Sequence, residues 1–360
     1  MESGTLRAGD RLPAEQRLAE QFSVSRMTLR AAIEVLQREG WIRRERNVGS
    51  FCSTPRTVAG QTSLMSHTVV LLSNHLQPSN DRAFDGLSSS VVSGVMDVVG
   101  RLGMNVLSVD ATQCSDQWLD DLIASRPAGV ILSCWDQRPS IAWQFSTLSR
   151  LQSAALPAVT WGDSPALAGF DRIGTDHVSG TEQLTHLLTQ QGKRRILRLW
   201  TVPAGVPWID SHNRGYERAT TELGLPCLPA VYVEGLTDRN PSSEANFRIR
   251  VRQFAGYLAE HLNGPDAIDA IMVGTDCEAF AVLAACRLFG REDVLVTGYD
   301  DQWRGLPECQ WETGRPFATV DKNNHLLGEE MVRMLRQRIN GELPLEPQLR
   351  LIEQRVVMTA

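Results

Sequence analysis

Between residues 69 and 297 the chain repeats one pattern: a short apolar run, then a longer stretch with helical spacing. The runs are Val69–Leu72, Val106–Val109, Gly129–Leu132, Ala158–Thr160, Arg195–Leu199, Ala230–Val233, Ala270–Val273 and Val294–Thr297. They are mostly continuous apolar segments without the alternation of a strand that has one wet face, so both faces are expected to be covered. Val91–Leu102, which stops at Gly103, and Trp118–Ala124 read as the helices between them. Strands that each return through a helix build a parallel, doubly wound α/β body. Sheets of that kind bind ligands at the carboxyl ends of their strands.

A chain of 360 residues has room for two or three domains. No apolar run reaches the roughly 18 residues that a membrane span requires, and no signal peptide opens the chain, so a cytoplasmic protein is expected. The seven cysteines are scattered and include no CxxC pair, and the seven histidines lack HxxxH or HExxH spacing. Neither a disulfide frame nor a metal site is expected. The net charge of −6 is uneven: residues 1–56 carry ten arginines against seven acids, a local +3, which leaves −9 for the remainder. A small basic head on an acidic body suits a nucleic-acid module joined to something else.

That head has its own pattern. Leu12-Pro13-Ala14-Glu15 reads as a helix start, after which Leu18, Ala19 and Phe22 share one face. Ser23-Val24-Ser25 is a tight turn, with Ser25 placed to cap a second helix. In that helix Leu29, Ile33 and Leu36 are expected to bury, while Arg26 and Arg30 stand one turn apart on another face beside Thr28. Gly40 stops the helix, and Trp41–Arg44 and Gly49–Cys52 are spaced as a hairpin. A helix N-terminus bearing Ser, Arg and Thr can donate to phosphates and reach base edges. An ordinary amphipathic helix with a solvated arginine face satisfies the same periodicity.

Residues 4–54 resemble the winged helix-turn-helix of GntR-type bacterial regulators. The match runs without a gap through Gly9–Pro13, Leu18-Ala19, Val24–Arg30, Leu36, Glu39–Ile42 and Gly49–Phe51. The resemblance implies DNA contacts from Ser25, Arg26, Thr28 and Arg30, with Arg44 on the hairpin and Arg46, Asn47 and Gly49 at the wing tip. Two positions depart from the family pattern: Gln16 stands where an arginine is usual, and Asn47 where a glycine is usual. The family's first helix precedes the Gly9-Asp10 turn, so the head (1–54) is expected to carry a truncated first helix. Residues 55–66 are small, polar and unperiodic, and read as a linker.

Residues 67–360 are similar to the effector domain of LacI/GalR-type regulators, which is periplasmic-binding-protein-like. The elements are Ile173–His177 with Gly180, Gly192–Ile196, Arg214–Tyr216 with Ala219, Gly274–Asp276 with Ala279, Asp293–Asp301, and Thr319–Lys322 with Gly328. The implied fold class is an α+β winged helix-turn-helix head plus a two-lobed α/β body of parallel doubly wound sheets. The implied first lobe takes residues 67–192 and 302–325, the second 193–301 and 326–360. The implied effector is a small polar molecule, a sugar or sugar-like, in the interlobe cleft. Its expected contacts are Asp176, Arg214 and Asp276, whose carboxylates and guanidinium suit vicinal hydroxyls. Strand-end aromatics Trp135, Trp161, Trp208, Phe247 and Trp303 are candidates to stack on a sugar ring.

The expected function is that of a ligand-responsive repressor binding a palindromic double-stranded DNA operator as a homodimer, with no cofactor and no membrane partner. A solute-binding receptor for transport, or a DNA-binding regulator whose body only dimerises, would use the same body. An enzyme is disfavoured: the chain holds no GxSxG, P-loop or metal cluster, and no GxGxxG after a strand.

Overall fold

The computed structural model describes residues 10, 12–22, 24–38, 42–45, 49–52, 64–73, 82–133, 141–236 and 243–359. The chain divides into two compact units, Met1–Ser66 and His67–Ala360. Most of the linker read at 55–66 lies outside the described residues.

In the head, α1 (Glu15–Gln21) and α2 (Arg26–Arg38) are followed by β1 (Ile42–Glu45) and β2 (Gly49–Cys52), which pair antiparallel. Ala19, Leu29, Ile33 and Ile42 form a small core, closed by Leu12 and Leu18. Asp10 and Leu12 lie along β2, the Leu12 amide donating to Ser50 and the Cys52 amide to Asp10. One residue expected to bury stands outside it: Leu36 is 38% exposed. Phe22, at the end of α1, is 63% exposed.

The body begins in lobe one with β3 (Thr68–Ser73), α3 (Arg82–Arg101), β4 (Asn105–Asp110), α4 (Asp116–Ser125), β5 (Gly129–Ser133), α5 (Ile141–Ser153), β6 (Ala158–Trp161) and β7 (Arg172–Thr175). Lobe two follows with α6 (His177–Gln190), β8 (Ile196–Trp200), α7 (Pro207–Leu223), β9 (Val231–Tyr232), α8 (Glu244–Leu262), β10 (Ala270–Val273), α9 (Asp276–Leu288), β11 (Leu295–Thr297) and β12 (Ala318–Asp321). The chain then returns to lobe one for α10 (Asn324–Ile339) and β13 (Leu349–Ile352), and ends in lobe two with β14 (Arg355–Met358). The body's sheets run β4-β3-β5-β6-β7-β13 and β9-β8-β10-β11-β12-β14. Every pairing within them is parallel except β12 with β14.

The lobes are divided differently from the sequence expectation. Leu184 and Leu188 of α6 pack with Ile196, Tyr216, Met272 and Val320, so residues 177–190 belong to lobe two. Leu327, Met331 and Leu335 of α10 pack with Leu71, Val95, Ile131 and Val159, so 324–352 belong to lobe one. Arg338 on α10 also grips Asp171, at the foot of β7, through Nε at 2.6 Å and Nη2 at 2.7 Å. Residues 302–321 stay in lobe two, because Trp303 and Leu306 complete its core. The crossings between lobes are therefore short: Asp176, Lys322-Asn323 and Glu353-Gln354.

α3 and α10 meet backbone to backbone. A Cβ on Gly328 would stand 2.0 Å from the Val91 carbonyl oxygen, and one on Gly94 2.0 Å from that of His325.

Candidate functional site: the front of α2 and an interlobe cleft

Ser25 opens α2 as expected: its hydroxyl accepts the Thr28 amide at 3.0 Å and bonds the Thr28 hydroxyl at 2.7 Å. A side-chain cap of this sort contributes about 1 kcal/mol and sets the angle of the first turn. Arg26, Thr28 and Arg30 are all exposed there. Arg26 donates to Gln16 Oε1 at 2.7 Å, and Gln16 donates on to Glu20 at 3.3 Å, so α1 orients the arginine. Glu15 stands 3.9 Å from Arg30 and 3.8 Å from Arg44, which gathers the two arginines on one side of the head. Gly49 begins β2; Arg46 and Asn47 lie outside the described residues.

In each sheet of the body the strand order reverses beside the first strand of its lobe, β3 in one and β8 in the other. Those are the points where open α/β sheets hold ligands. In lobe two the loops leaving β8 and β10 carry Thr201, Gly274 and Thr275. Glu278, buried on the first turn of α9, accepts the Thr201 hydroxyl and the Gly274 amide, and burial pushes its carboxyl above the usual range. The Trp208 indole lies 3.6 Å from where a Gly274 Cβ would be. The corresponding loops of lobe one, with Trp135, lie outside the described residues.

A polar ring cluster adjoins this point. His177 Nε2 stands 3.3 Å from Asp163 Oδ2, a contact that joins lobe two to lobe one beside the first crossing. Asp163 is half-buried, which works against its charge, yet the His177 beside it holds its carboxyl below the ordinary value. The His177 ring is 4.8 Å from His212, which meets Tyr299 edge-on at 4.5 Å and Trp208 at 5.6 Å. Burial, then the charges of His177 and Lys322, hold His212 well below the usual histidine range, so it is neutral. The Thr181 hydroxyl donates to His177 O at 2.9 Å and lies 2.6 Å from His212 Nδ1. With its proton so used, Thr181 accepts from Nδ1–H, which leaves His212 Nε2 as a buried lone pair without a partner.

The expected effector contacts do not come together. Arg214 is exposed on the outer face of α7, donates to Ser211 at 2.8 Å and lines a shallow groove with Glu182, Glu217 and Arg218. Trp208, His212, Gly215 and Ala219 make the inward stripe of that helix at spacings of four, three and four. Arg214, two residues from His212, is turned about 200° away. Asp176 caps α6, accepting the Ser179 amide at 3.1 Å. Asp276 is 1% exposed and anchors a loop, its Oδ2 accepting the amides of Gln302 at 2.7 Å and Trp303 at 3.1 Å. Trp161 packs in the core of lobe one, and Phe247 and Trp303 in that of lobe two. Of the described strand-end aromatics, Trp208 is the one beside a strand-order reversal. Sequence reasoning does not single out His177 and His212. The helical phase of His212 with Trp208 is the signal that could find the second of them.

Comparison with known proteins agrees with these two units. The model of bacterial regulatory proteins of the gntR family matches residues 1–52, and that of the periplasmic binding protein-like domain matches residues 185–358. The chain is 28% identical over 201 residues to the HTH-type transcriptional regulator CelR of Thermobifida fusca, an alignment spanning about half of each protein (53%). It is 23% identical over 308 residues to the arabinose metabolism transcriptional repressor of Geobacillus stearothermophilus, covering 83% of this chain and 78% of the relative. The solved structure of a transcriptional regulator CelR–cellobiose complex superposes with a TM-score of 0.58 at 19% identity, covering 96% of this chain and 99% of the other. The chain thus joins a helix-turn-helix head of the gntR family of bacterial regulators to a periplasmic-binding-protein-like body.

Proposed function

We propose that this protein is a ligand-responsive transcription repressor that binds a palindromic operator as a homodimer and takes a small polar, carbohydrate-like effector in the interlobe cleft. The observation that carries the reading is the union, in one chain, of a head that matches the gntR family with a body whose lobes meet at three short crossings. A ligand held by both lobes favours one interlobe angle, and a body that pairs two heads converts that angle into operator affinity. One named relative is a repressor of arabinose metabolism and one structural neighbour is a regulator in complex with cellobiose, which supports a sugar-like effector here. Among the described residues no helix is long and apolar enough to cross a membrane.

Ser25, Arg26, Thr28 and Arg30 at the front of α2 would meet the major groove, and Arg44 with the wing tip the neighbouring backbone or minor groove. In the cleft, Trp208 offers a stacking face, while Asp163, His177 and the Thr201–Glu278 pair offer polar edges. Gel retardation of DNA from upstream of the protein's own operon, at fixed salt, tests the reading. The full chain is expected to retard one such fragment, and failure with every nearby promoter would sink the proposal. Arg26→Ala should weaken specific binding by about 1–3 kcal/mol, a loss of about five- to 150-fold, with the melting of the body unchanged. Undiminished operator affinity would remove α2 from the interface.

A further inference from the structure

Beside the crossing from β12 to α10 lies a second concavity, of about 820 Å³, open between the lobes. Ser90 of α3 and Asn324 of α10 line it from lobe one; Asp300, Asp301, Arg304 and Asp321 line it from lobe two. Its polar groups are unequally satisfied. Asp300 is matched by Lys322 at 2.5 Å, both side chains 6% exposed. Among the described residues the cations paired with Asp301 and Asp321 are distant and solvated: Arg304 at 4.0 Å from Asp301 and Arg355 at 3.5 Å from Asp321, on side chains 66% and 76% exposed. Ion pairs so open to water contribute little. Asp321 also accepts the Asn323 amide at 2.7 Å, which holds its carboxylate in place.

Burial and the neighbouring charge of Asp321 push the Asp301 carboxyl above its ordinary value, the mark of two acids facing each other without adequate compensation. Asn324 is 7% exposed, and its Oδ1 has no hydrogen-bond partner; neither has Asp301 Oδ1. A buried acceptor left unmade costs about 1–3 kcal/mol, and among the described residues neither oxygen finds a donor. Among the described residues no group of three or more His, Cys, Asp or Glu is arranged to hold a metal ion.

We propose that the effector carries a primary ammonium group, seated between Asp301, Asp321 and the Asn324 carboxamide oxygen. The proposal rests on the reading of the cleft as an effector site, and it narrows the ligand to an amino sugar, amino polyol or related amine. An ammonium has three donors and no acceptor, matching three acceptors from two lobes. A hydroxyl, with a single donor, would satisfy only one of these oxygens and leave the two carboxylates repelling. Since Asn324 belongs to lobe one and the aspartates to lobe two, the ammonium ties the lobes together, and the charge itself becomes the signal for closure.

Isothermal calorimetry on the full chain at pH 7 with matched pairs tests this: glucosamine against glucose, galactosamine against galactose, 1-amino-1-deoxysorbitol against sorbitol, and putrescine against butane-1,4-diol. The amine is expected to bind about tenfold or more tightly than its hydroxyl partner in at least one pair, the difference between a charge-assisted and a neutral hydrogen bond. That preference should vanish in Asp301→Asn and in Asp321→Asn, with the melting temperature of the unliganded variants serving as the control for folding. Asn324→Ala should reduce amine binding without abolishing the preference for charge. Binding of the neutral members alone, binding of no member, or an amine preference that survives Asp301→Asn would each overturn the proposal. Operator retardation, measured on the same protein, reports separately on whether it is a DNA-binding regulator at all.

Discussion

A single methyl group placed on Gly328 should open lobe one. The new Cβ would lie 2.0 Å from the Val91 carbonyl oxygen and 3.0 Å from the Val95 amide nitrogen, both backbone atoms of α3 that no rotamer change can move. The helices must part to admit it. They carry Val91, Val95, Leu327, Met331 and Leu335 into one core, so the separation loosens packing along both helices. Overpacking of this kind costs about 3 kcal/mol or more when backbone is the obstacle, so Gly328→Ala is expected to lower the melting temperature of the body by about 5 °C or more. Gly100→Ala, on the same α3 with nothing within 4 Å of its Cβ, is the internal control. It should be neutral or raise stability by up to about 1 kcal/mol through helix propensity. Equal melting temperatures for the two variants would show that the interface yields.

Replacing Asp276 with asparagine should flatten the dependence of stability on pH. Burial raises the Asp276 carboxyl from 3.8 to about 8; the charge of Asp300 adds to the rise, while hydrogen bonds from Thr319 and the Gln302 and Trp303 amides oppose it. The folded protein therefore holds a proton that the unfolded chain releases near pH 4. By linkage the stability associated with that proton is complete below about pH 4, fades as pH climbs, and is gone above about 8. A shift of this size corresponds to on the order of 5 kcal/mol across the window. The asparagine side chain would keep an acceptor for the two amides and titrate nowhere in the range. Urea midpoints at about pH 5 and about pH 8.5 should differ by much less in Asp276→Asn than in the parent. Identical differences would mean that Asp276 ionises freely in the folded state.

The layered body is legible because its central strands carry their burial in consecutive residues: Val69–Leu72 and Ala270–Val273 are buried at every position. Edge strands are harder. Leu349–Ile352 and Arg355–Met358 mix charged and half-exposed residues, as strands with one covered neighbour do, and neither stands out as a run. Without them the lobes are misdivided, because β13 and α10 join lobe one through pairings nearly two hundred residues apart in sequence. Family position suggests Arg214 and Asp276 as cleft residues. Helix phase turns the first outward, and a buried loop claims the second. In the head, the Ser25 cap and the exposed Arg26 and Arg30 follow from local rules alone, since a helix start is decided within about four residues.

The two-residue step Glu353-Gln354 between β13 and β14 also bears on how the protein is made. Each sheet of the body receives an edge strand from residues 349–358, so during synthesis neither lobe has all its strands until that segment emerges. The head's described contacts all lie within residues 10–52. Domains complete in the order they leave the ribosome when their contacts are local. Translation therefore delivers the folded contacts of the head long before a two-lobed body with all its strands, and a nascent chain stalled short of residue 349 would carry the first without the second.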